Sequence, residues 1–433
     1  MATVTIRKTA TLKGEVCAPP SKSYTQRMLI ASALSSGISK ISSPLISDDT
    51  QATLRAVKAL GAKVNPAADR WTVEGMSPKG AEEPIDCGES GATLRFMIPV
   101  AALAAEPSTF LLGRSLSKRP FEPLLESLKE LGVETSIEKA GGKSQVKVNG
   151  GGIAGGKTGI RGDISSQFVS GLMFACPLAS KDTQIDLTTP LESKGYVQMT
   201  QEVLTRHGIK VTVSENFRQI RIPSGQKYKP CDDRVTGDFS STAFLFTAAA
   251  ITRSDVAVTN LDYSFAQADK AILGILKQMG VQGKICPDHI EIRGTGKPLQ
   301  AVDMNARETP DLVPVCAALA CYANNTTSIH GAQRLRLKES DRLTSLYLEL
   351  KKMGAEIAMN ADSLIINGLH KLHGTEIDTH NDHRIAMACA VVALGAEGET
   401  VIHNAECVKK SYPRFFLDLQ ELGAELIGGK FDR

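Results

Sequence analysis

Leu60-Gly61-Ala62, Leu131-Gly132-Val133, His207-Gly208-Ile209, Met279-Gly280-Val281, Met353-Gly354-Ala355 and Leu422-Gly423-Ala424 are six occurrences of one short pattern. In each, an amphipathic run ends at a glycine and an alternating, strand-like run begins. Successive glycines stand about 69 to 76 residues apart, the spacing of a repeated architecture. Six copies of one unit therefore occupy nearly the whole chain, and its chemistry must lie where the copies differ.

The run before each glycine reads as a helix with one apolar face. Leu124, Leu128 and Leu131 fall at i, i+4 and i+7, and Leu343, Leu346, Leu350 and Met353 line a second such face. The glycine supplies a left-handed cap. Beyond it, Ile209, Val211 and Val213, or Ala355, Ile357 and Met359, alternate as a half-buried strand does. The unit is mixed α/β.

Each copy also holds a second, more uniformly apolar helix that reads as buried on all sides. These run Ser23 to Leu34, Ala92 to Ala105, Ser166 to Ala179, Ser240 to Ala250, Asp311 to Tyr322 and Arg384 to Leu394. The segments that enter them, PSKSYTQR, CGESGATLR, GDISSQF, TGDFSST, TPDLV and HNDHR, are dense in hydroxyl, Gly, acidic and basic residues. Helix capping accounts for some of this. Six buried helices aimed one way would also bring several positive dipole ends to one cleft, which is an anion site.

Composition sets bounds on function. A chain of 433 residues with 42% apolar and 22% charged side chains is an ordinary globular one, long enough for two or three domains. A net charge of +3 gives no nucleic-acid footprint. Nine cysteines without a CxxC pair argue for reduced thiols, mostly core fillers, in a cytoplasmic protein. No apolar run has the length of a membrane span, and the N-terminus lacks a signal-peptide profile.

Several motif fragments dissolve on inspection. Gly150-Gly151-Gly152-Ile153-Ala154-Gly155 fits the dinucleotide pattern, yet no helix follows and a hairpin turn is expected. Gly294-Thr295-Gly296-Lys297 ends in Pro298 where a phosphate loop needs Ser or Thr. Ser115-Leu116-Ser117-Lys118 lacks the companion elements of a serine acyl-enzyme. His380, Asp382 and His383 have no third cluster at metal-ligand spacing, so a structural or substrate-contacting pair is expected.

Three basic-hydroxyl clusters remain: Ser21-Lys22-Ser23 with Arg27, Lys338-Glu339-Ser340-Asp341-Arg342, and Asn381-Asp382-His383-Arg384. With Arg95, Arg119 and Lys410 they suit phosphate and carboxylate ligands. Taken alone, Glu339 and Arg342 read as an exposed i, i+3 pair worth a few tenths of a kcal/mol.

Together these segments resemble the 5-enolpyruvylshikimate-3-phosphate synthase family of enolpyruvyl transferases. PSKSYTQR, GESGATLR, KRP, ISSQF, ESKGY, TPD, LKESDR, NDHR and KKSYP match in order along essentially the full chain. The resemblance implies a two-lobed inside-out α/β barrel with six βαβαββ repeats, three per lobe. Residues 1–19 and 232–433 would form one discontinuous lobe and residues 20–231 the other, the lobes closing on substrate. It also implies transfer of the enolpyruvyl group of phosphoenolpyruvate to the 5-hydroxyl of shikimate 3-phosphate through a tetrahedral intermediate. Phosphate is released.

On that resemblance, Lys22, Ser23, Arg27, Ser165, Ser166, Gln167, Ser193, Tyr196, Asp311 and Lys338 would bind shikimate 3-phosphate. Lys22, Gly91, Arg119, Gln167, Arg342, Arg384 and Lys410 would bind phosphoenolpyruvate. Asp311 would act at the 5-hydroxyl, Glu339 at the methylene and Lys22 on the departing phosphate. The partners implied are these two small molecules, with no metal, no organic cofactor, no nucleic acid and no membrane, in a cytoplasmic monomer. Glyphosate would occupy the phosphoenolpyruvate region.

Two departures from the common bacterial pattern stand out. Gly88-Glu89-Ser90-Gly91-Ala92 replaces Gly-Asn-Ala-Gly-Thr and sets an acid near an anion site, and Gln333-Arg334-Leu335-Arg336 stands where Asn-Trp is common, Arg334 being expected to substitute electrostatically. Three other readings compete. UDP-N-acetylglucosamine enolpyruvyl transferases carry Lys-Asn in place of Lys22-Ser23 and a loop cysteine that Leu111 to Pro120 lacks. RNA 3'-terminal phosphate cyclases would need nucleotide and RNA sites, and a noncatalytic binder would need neither Asp311 nor Glu339.

Overall fold

The computed structural model describes residues 2–428. All six marker glycines have positive φ, from +76° at Gly208 to +111° at Gly61. Each ends its helix with the same two hydrogen bonds. Gly132 donates to the Lys129 carbonyl and Val133 to that of Leu128; Gly354 donates to Lys351 and Ala355 to Leu350. The glycine bond reaches three residues back and the next one five, so two orphan carbonyls are satisfied while the chain reverses. A side chain at the glycine would be strained in this left-handed conformation.

Beyond the caps lie six four-stranded sheets of one design. In one of them, Gly156–Ile160 runs parallel to Thr183–Leu187, which pairs antiparallel with Gln219–Ile222, itself antiparallel to Thr212–Val213. The parallel pair needs a crossover, supplied by the buried helix Ser166–Ala175. The amphipathic helix Lys194–Arg206 then leads into the antiparallel strands. Each copy is thus a βαβαββ unit.

Three copies borrow a strand from a distant part of the chain. Val4–Arg7 pairs antiparallel with Glu399–His403, and Lys13–Cys17 runs parallel to Asp255–Thr259. Asp233–Arg234 runs parallel to Ile38–Ser42. The chain accordingly divides into Met1–Pro19 with Thr236–Arg433, and Pro20–Val235. The second boundary lies after Val235, not after Cys231, because Asp233–Arg234 completes a sheet of the Pro20–Val235 unit.

The companion helices are Lys22–Ala33, Gly91–Ala101, Ser166–Ala175, Phe239–Ile251, Val313–Ala320 and His383–Ala393. All residues of Gly91–Ala101 and His383–Ala393 are buried. In the discontinuous unit, Phe239–Ile251, Val313–Ala320 and His383–Ala393 contact one another. In the other, Gly91–Ala101 packs on Ser166–Ala175, with the Phe96 and Phe174 rings edge to face at 5.7 Å. The fifth helix is entered through a 3-10 turn, Pro310–Leu312, and is shorter than its apolar run suggests.

The segment 150–155 is a link between two sheets and not a hairpin turn: Lys143–Val148 and Gly156–Ile160 belong to different sheets. Gly150 is there because a Cβ would overlap the Ala104 carbonyl. Gly75, Gly294 and Gly368 meet the Ser35, Arg253 and Ala323 carbonyls in the same way, a second repeated glycine role. Five cysteines are buried, Cys87, Cys176, Cys316, Cys321 and Cys389, and burial pushes each thiol up. No described helix is long and apolar enough to cross a membrane.

Candidate active site

Capping and ligand-type residues occupy adjacent positions at the starts of the buried helices. Ser21, Ser90, Ser165, Asp238 and Asp382 are the caps, accepting from the backbone N–H of Tyr24, Thr93, Gln167, Ser241 and Arg384. The next positions carry Lys22, Gly91, Ser166 and, two beyond its cap, Arg384. Asp311 sits in the 3-10 turn that precedes the fifth helix.

In the discontinuous unit, six of the expected residues form one charged cluster. Asp311 Oδ1 accepts from Lys338 Nζ at 3.3 Å and from Arg342 Nη1 at 2.9 Å. Arg384 Nη2 stands 3.5 Å from Asp311 Oδ2, while its Nη1 donates to the Asp311 carbonyl at 3.1 Å. Arg342 Nη2 donates to Glu339 Oε2 at 2.8 Å, and Lys410 Nζ lies 3.5 Å from Glu339 Oε1. Asp382, which the sequence sets in a ligand-type cluster beside His380 and His383, accepts from Arg342 Nε at 2.8 Å and from Ser340 at 3.1 Å.

Arg342 is the hub, only 1% exposed and bonded to three carboxylates. Its pair with Glu339 is therefore buried, not the surface pair that i, i+3 spacing suggests. Burial alone would lower the Arg342 pKa, but Asp382, Glu339 and Asp311 outweigh it and raise it. Burial would raise the Asp311 carboxyl, yet the Arg384, Lys338 and Arg342 charges hold it well below the usual carboxylate range. Lys338 is pushed down to about 8 by burial, against the pull of Asp311 and with nearby Arg342 and Arg334 adding to the fall. Arg334 itself donates to the Arg307 carbonyl at 2.7 Å.

The Pro20–Val235 unit holds the other expected residues in a hydroxyl-rich network. Lys22 Nζ pairs with Asp49 Oδ2 at 2.9 Å. Gln26, one turn on, donates to Thr53 and to the Asp49 carbonyl. Arg27 is buried over the Phe96 ring at 4.9 Å, donating to Thr200 at 2.8 Å and to the Ser23 and Tyr196 carbonyls. Its guanidinium also lies 5.8 Å from the Tyr196 ring, and burial lowers its pKa to about 10. Ser193, in the left-handed region at φ +57°, opens the helix that carries Tyr196.

Gln167 Oε1 accepts from Arg95 Nη1 at 2.7 Å, and Arg95 Nη2 donates to the Pro120 carbonyl at 2.7 Å, beside Arg119. A Cβ on Gly91 would stand 3.1 Å from Arg119 Nη2, so the glycine admits the guanidinium against the helix start. Arg119 in turn donates to the Glu89 carbonyl at 3.4 Å. The Glu89 carboxylate accepts from the Ser115 N–H at 3.1 Å and the Leu116 N–H at 2.7 Å. It thereby caps the short 3-10 turn Leu116–Lys118 that leads into Arg119.

Sequence reasoning misses Asp49, the bond of Asp382 to Arg342 and the work of Glu89. Asp49 follows Ser47-Asp48 at a helix start, where acidic residues are common, and nothing local marks it as the partner of Lys22. His380 and His383 do not converge. His380 Nε2 bonds the buried Glu349 at 3.0 Å, which raises its pKa, whereas His383 is buried within its helix start.

Known proteins align with this chain throughout. A family model described as EPSP synthase (3-phosphoshikimate 1-carboxyvinyltransferase) matches residues 6–419. A 3-phosphoshikimate 1-carboxyvinyltransferase of Methanocaldococcus jannaschii is 41% identical over 424 residues, 97% of this chain and 98% of that relative. One from Methanocorpusculum labreanum is 41% identical over 420 residues, 96% of this chain and 97% of its own. An EPSP synthase structure from Acinetobacter baumannii superposes with a TM-score of 0.83 at 27% identity, covering 99% of this chain and 100% of that one. With a family match over nearly its full length and relatives well above 30% identity, the chain belongs to the EPSP synthase family.

Proposed function

We propose that this chain transfers the enolpyruvyl group of phosphoenolpyruvate to the 5-hydroxyl of shikimate 3-phosphate and releases phosphate, as a cytoplasmic monomer. The observation that carries this reading beyond family membership is the pair of carboxylates, Asp311 and Glu339, tied to one buried guanidinium. Addition requires a proton delivered to the methylene carbon and one taken from the attacking hydroxyl. Glu339 delivers the first and Asp311 takes the second. In elimination, Glu339 recovers a proton from the new methyl group, the bond from carbon to phosphate oxygen breaks, and Lys22 neutralises the departing phosphate.

The low pKa of Asp311 fits this role. A hydroxyl oxygen that has begun to bond a cationic carbon is strongly acidic, so a weak base suffices late in the step. Two of the cations that hold Asp311 down, Lys338 and Arg384, are also those assigned to the shikimate phosphate and the phosphoenolpyruvate carboxylate. Substrate anions that draw these cations away raise the basicity of Asp311 as both substrates bind. In the other unit, Ser165, Ser166 and Ser193 would join in holding the shikimate phosphate, with Ser23, Arg27 and Tyr196 orienting the ring. Lys22, Arg119 and Gln167, with Lys410 of the first unit, would take the phosphoenolpyruvate phosphate, and Arg342 with Arg384 its carboxylate. Gly91 would give backbone access.

The test is phosphate release from phosphoenolpyruvate with shikimate 3-phosphate as acceptor, set against UDP-N-acetylglucosamine. Release with the first acceptor alone supports the reading. Release with the second alone, or with neither, contradicts it.

Two further results are expected. Because Lys338 loses its charge above about pH 8, the KM for shikimate 3-phosphate rises with pH beyond that point, approaching about tenfold per unit. Lys338→Arg flattens this rise, since a guanidinium stays protonated; initial rates across the pH range measure it. Glu89→Ala frees two backbone N–H groups of the loop ahead of Arg119. Each charge-assisted bond contributes about 1.5–3 kcal/mol, so the KM for phosphoenolpyruvate rises roughly tenfold or more. The KM for shikimate 3-phosphate stays near its wild-type value.

A further inference from the structure

The strands Gln282–Ile285 and His289–Arg293 pair antiparallel in the discontinuous unit. The Cys286 N–H donates to the His289 carbonyl at 2.9 Å, closing a tight turn through Pro287 and Asp288. Cys286 and His289 thus flank the turn, and Glu291 follows His289 at the two-residue period that keeps side chains on one face. A thiol sulfur, a ring nitrogen and a carboxylate oxygen from these three residues lie within 4.8 Å of one another, the one such trio among the described residues.

The ring of His289 is held at both nitrogens. Nδ1 lies 2.7 Å from Asp288 Oδ1 and Nε2 lies 3.1 Å from Glu291 Oε1. Nε2 and Glu291 Oε1 therefore face each other as two candidate ligand atoms. A thiol within reach of both the ring and the carboxylate makes this a built site, because thiolate and imidazole together select a borderline-soft metal over Mg2+ or Ca2+.

We infer that Cys286, His289 and Glu291 bind a divalent cation of the Zn2+ class, with solvent as the fourth ligand. Tetrahedral zinc with its usual bond lengths sets nitrogen and oxygen ligands about 3.4 Å apart, close to the separation of His289 and Glu291 in the structure. Cys286, at a partly exposed turn, has room to adjust toward the ion. Asp288 is the outer-shell acceptor that fixes the ring tautomer. Arg293 donates to Glu291 Oε2 at 2.8 Å, which leaves Oε1 toward the metal. The thiolate and the carboxylate balance the two charges of the ion, and binding releases the thiol proton. None of these residues takes part in the Asp311 cluster, so this is a structural site that ties down the hairpin.

The test is titration of the full chain with Co2+, read by the thiolate-to-cobalt charge-transfer band and by displacement with Zn2+. One equivalent is expected to bind, with the band absent in Cys286→Ser and unchanged in Cys17→Ser, which alters an exposed cysteine elsewhere. Asp288→Asn weakens Co2+ binding by about 10–100-fold. Far-ultraviolet circular dichroism identical to wild type shows that the variants fold. A wild-type chain without the band, a band that persists in Cys286→Ser, or one lost in Cys17→Ser overturns the inference. Phosphate release plays no part in this readout, so the inference stands or falls apart from the catalytic reading.

Discussion

Asp311→Asn is expected to lower kcat by about 10²–10⁴-fold, the contribution of a positioned proton acceptor, while shikimate 3-phosphate still binds. The substitution keeps the shape of the side chain and removes its charge. Lys338, Arg342 and Arg384 then lose a shared anion, so the site becomes more attractive to anionic substrates. Affinity for shikimate 3-phosphate, measured by calorimetry, is therefore expected to hold or to tighten as turnover collapses. An anchoring role alone for Asp311 predicts the reverse, with weaker binding and kcat nearly intact. The substrate-linked rise in its basicity has a sign of its own. The carboxylate is ionised across the neutral range in the free enzyme, so no acid limb from Asp311 appears in kcat/KM near neutral pH.

Arg342→Met is expected to cost about 3–5 kcal/mol of stability, as removal of one partner from a buried ion cluster does. The guanidinium commits donors to Asp382, Glu339 and Asp311 at once, with bonds of 2.8, 2.8 and 2.9 Å. Methionine fills much of the volume but leaves three carboxylates without the guanidinium they share, Lys338, Arg384 and Lys410 offsetting them in part. Urea denaturation measures the loss. Arg342→Lys keeps one charge but not the planar fork, and falls between. A loss under about 1 kcal/mol for Arg342→Met would show that the cluster is solvated as a surface pair is.

Much of the fold is legible because its punctuation is local. A left-handed cap needs a glycine, here followed each time by an apolar residue, and that pattern recurs at Gly61, Gly132, Gly208, Gly280, Gly354 and Gly423. The starts of the buried helices are legible for the same reason, since caps and charge-dense turns are written in neighbouring residues. What depends on distant contacts is not. Nothing near Val4 or Asp233 says that these short strands complete sheets begun elsewhere, and Gly150 looks like part of a nucleotide motif until the Ala104 carbonyl stands against it. Arg342 shows the same limit in the site. Its spacing from Glu339 reads as a surface pair because burial is set by Asp311, some thirty residues earlier in the same repeat, and by Asp382, which arrives from the next one. Glu89 reads as a misplaced acid near anions, whereas its carboxylate is spent on two backbone N–H groups.

In the proposed reaction Glu339 adds a proton to the methylene of phosphoenolpyruvate and later removes one from the resulting methyl group, in step with Asp311 at the hydroxyl. Turnover in 2H2O tests it most directly, with the product analysed by mass spectrometry. The three hydrogens of the intermediate methyl group are equivalent by rotation, so the account predicts deuterium in the enolpyruvyl methylene of the product. A product formed at full rate in 2H2O with no deuterium at that carbon would contradict it.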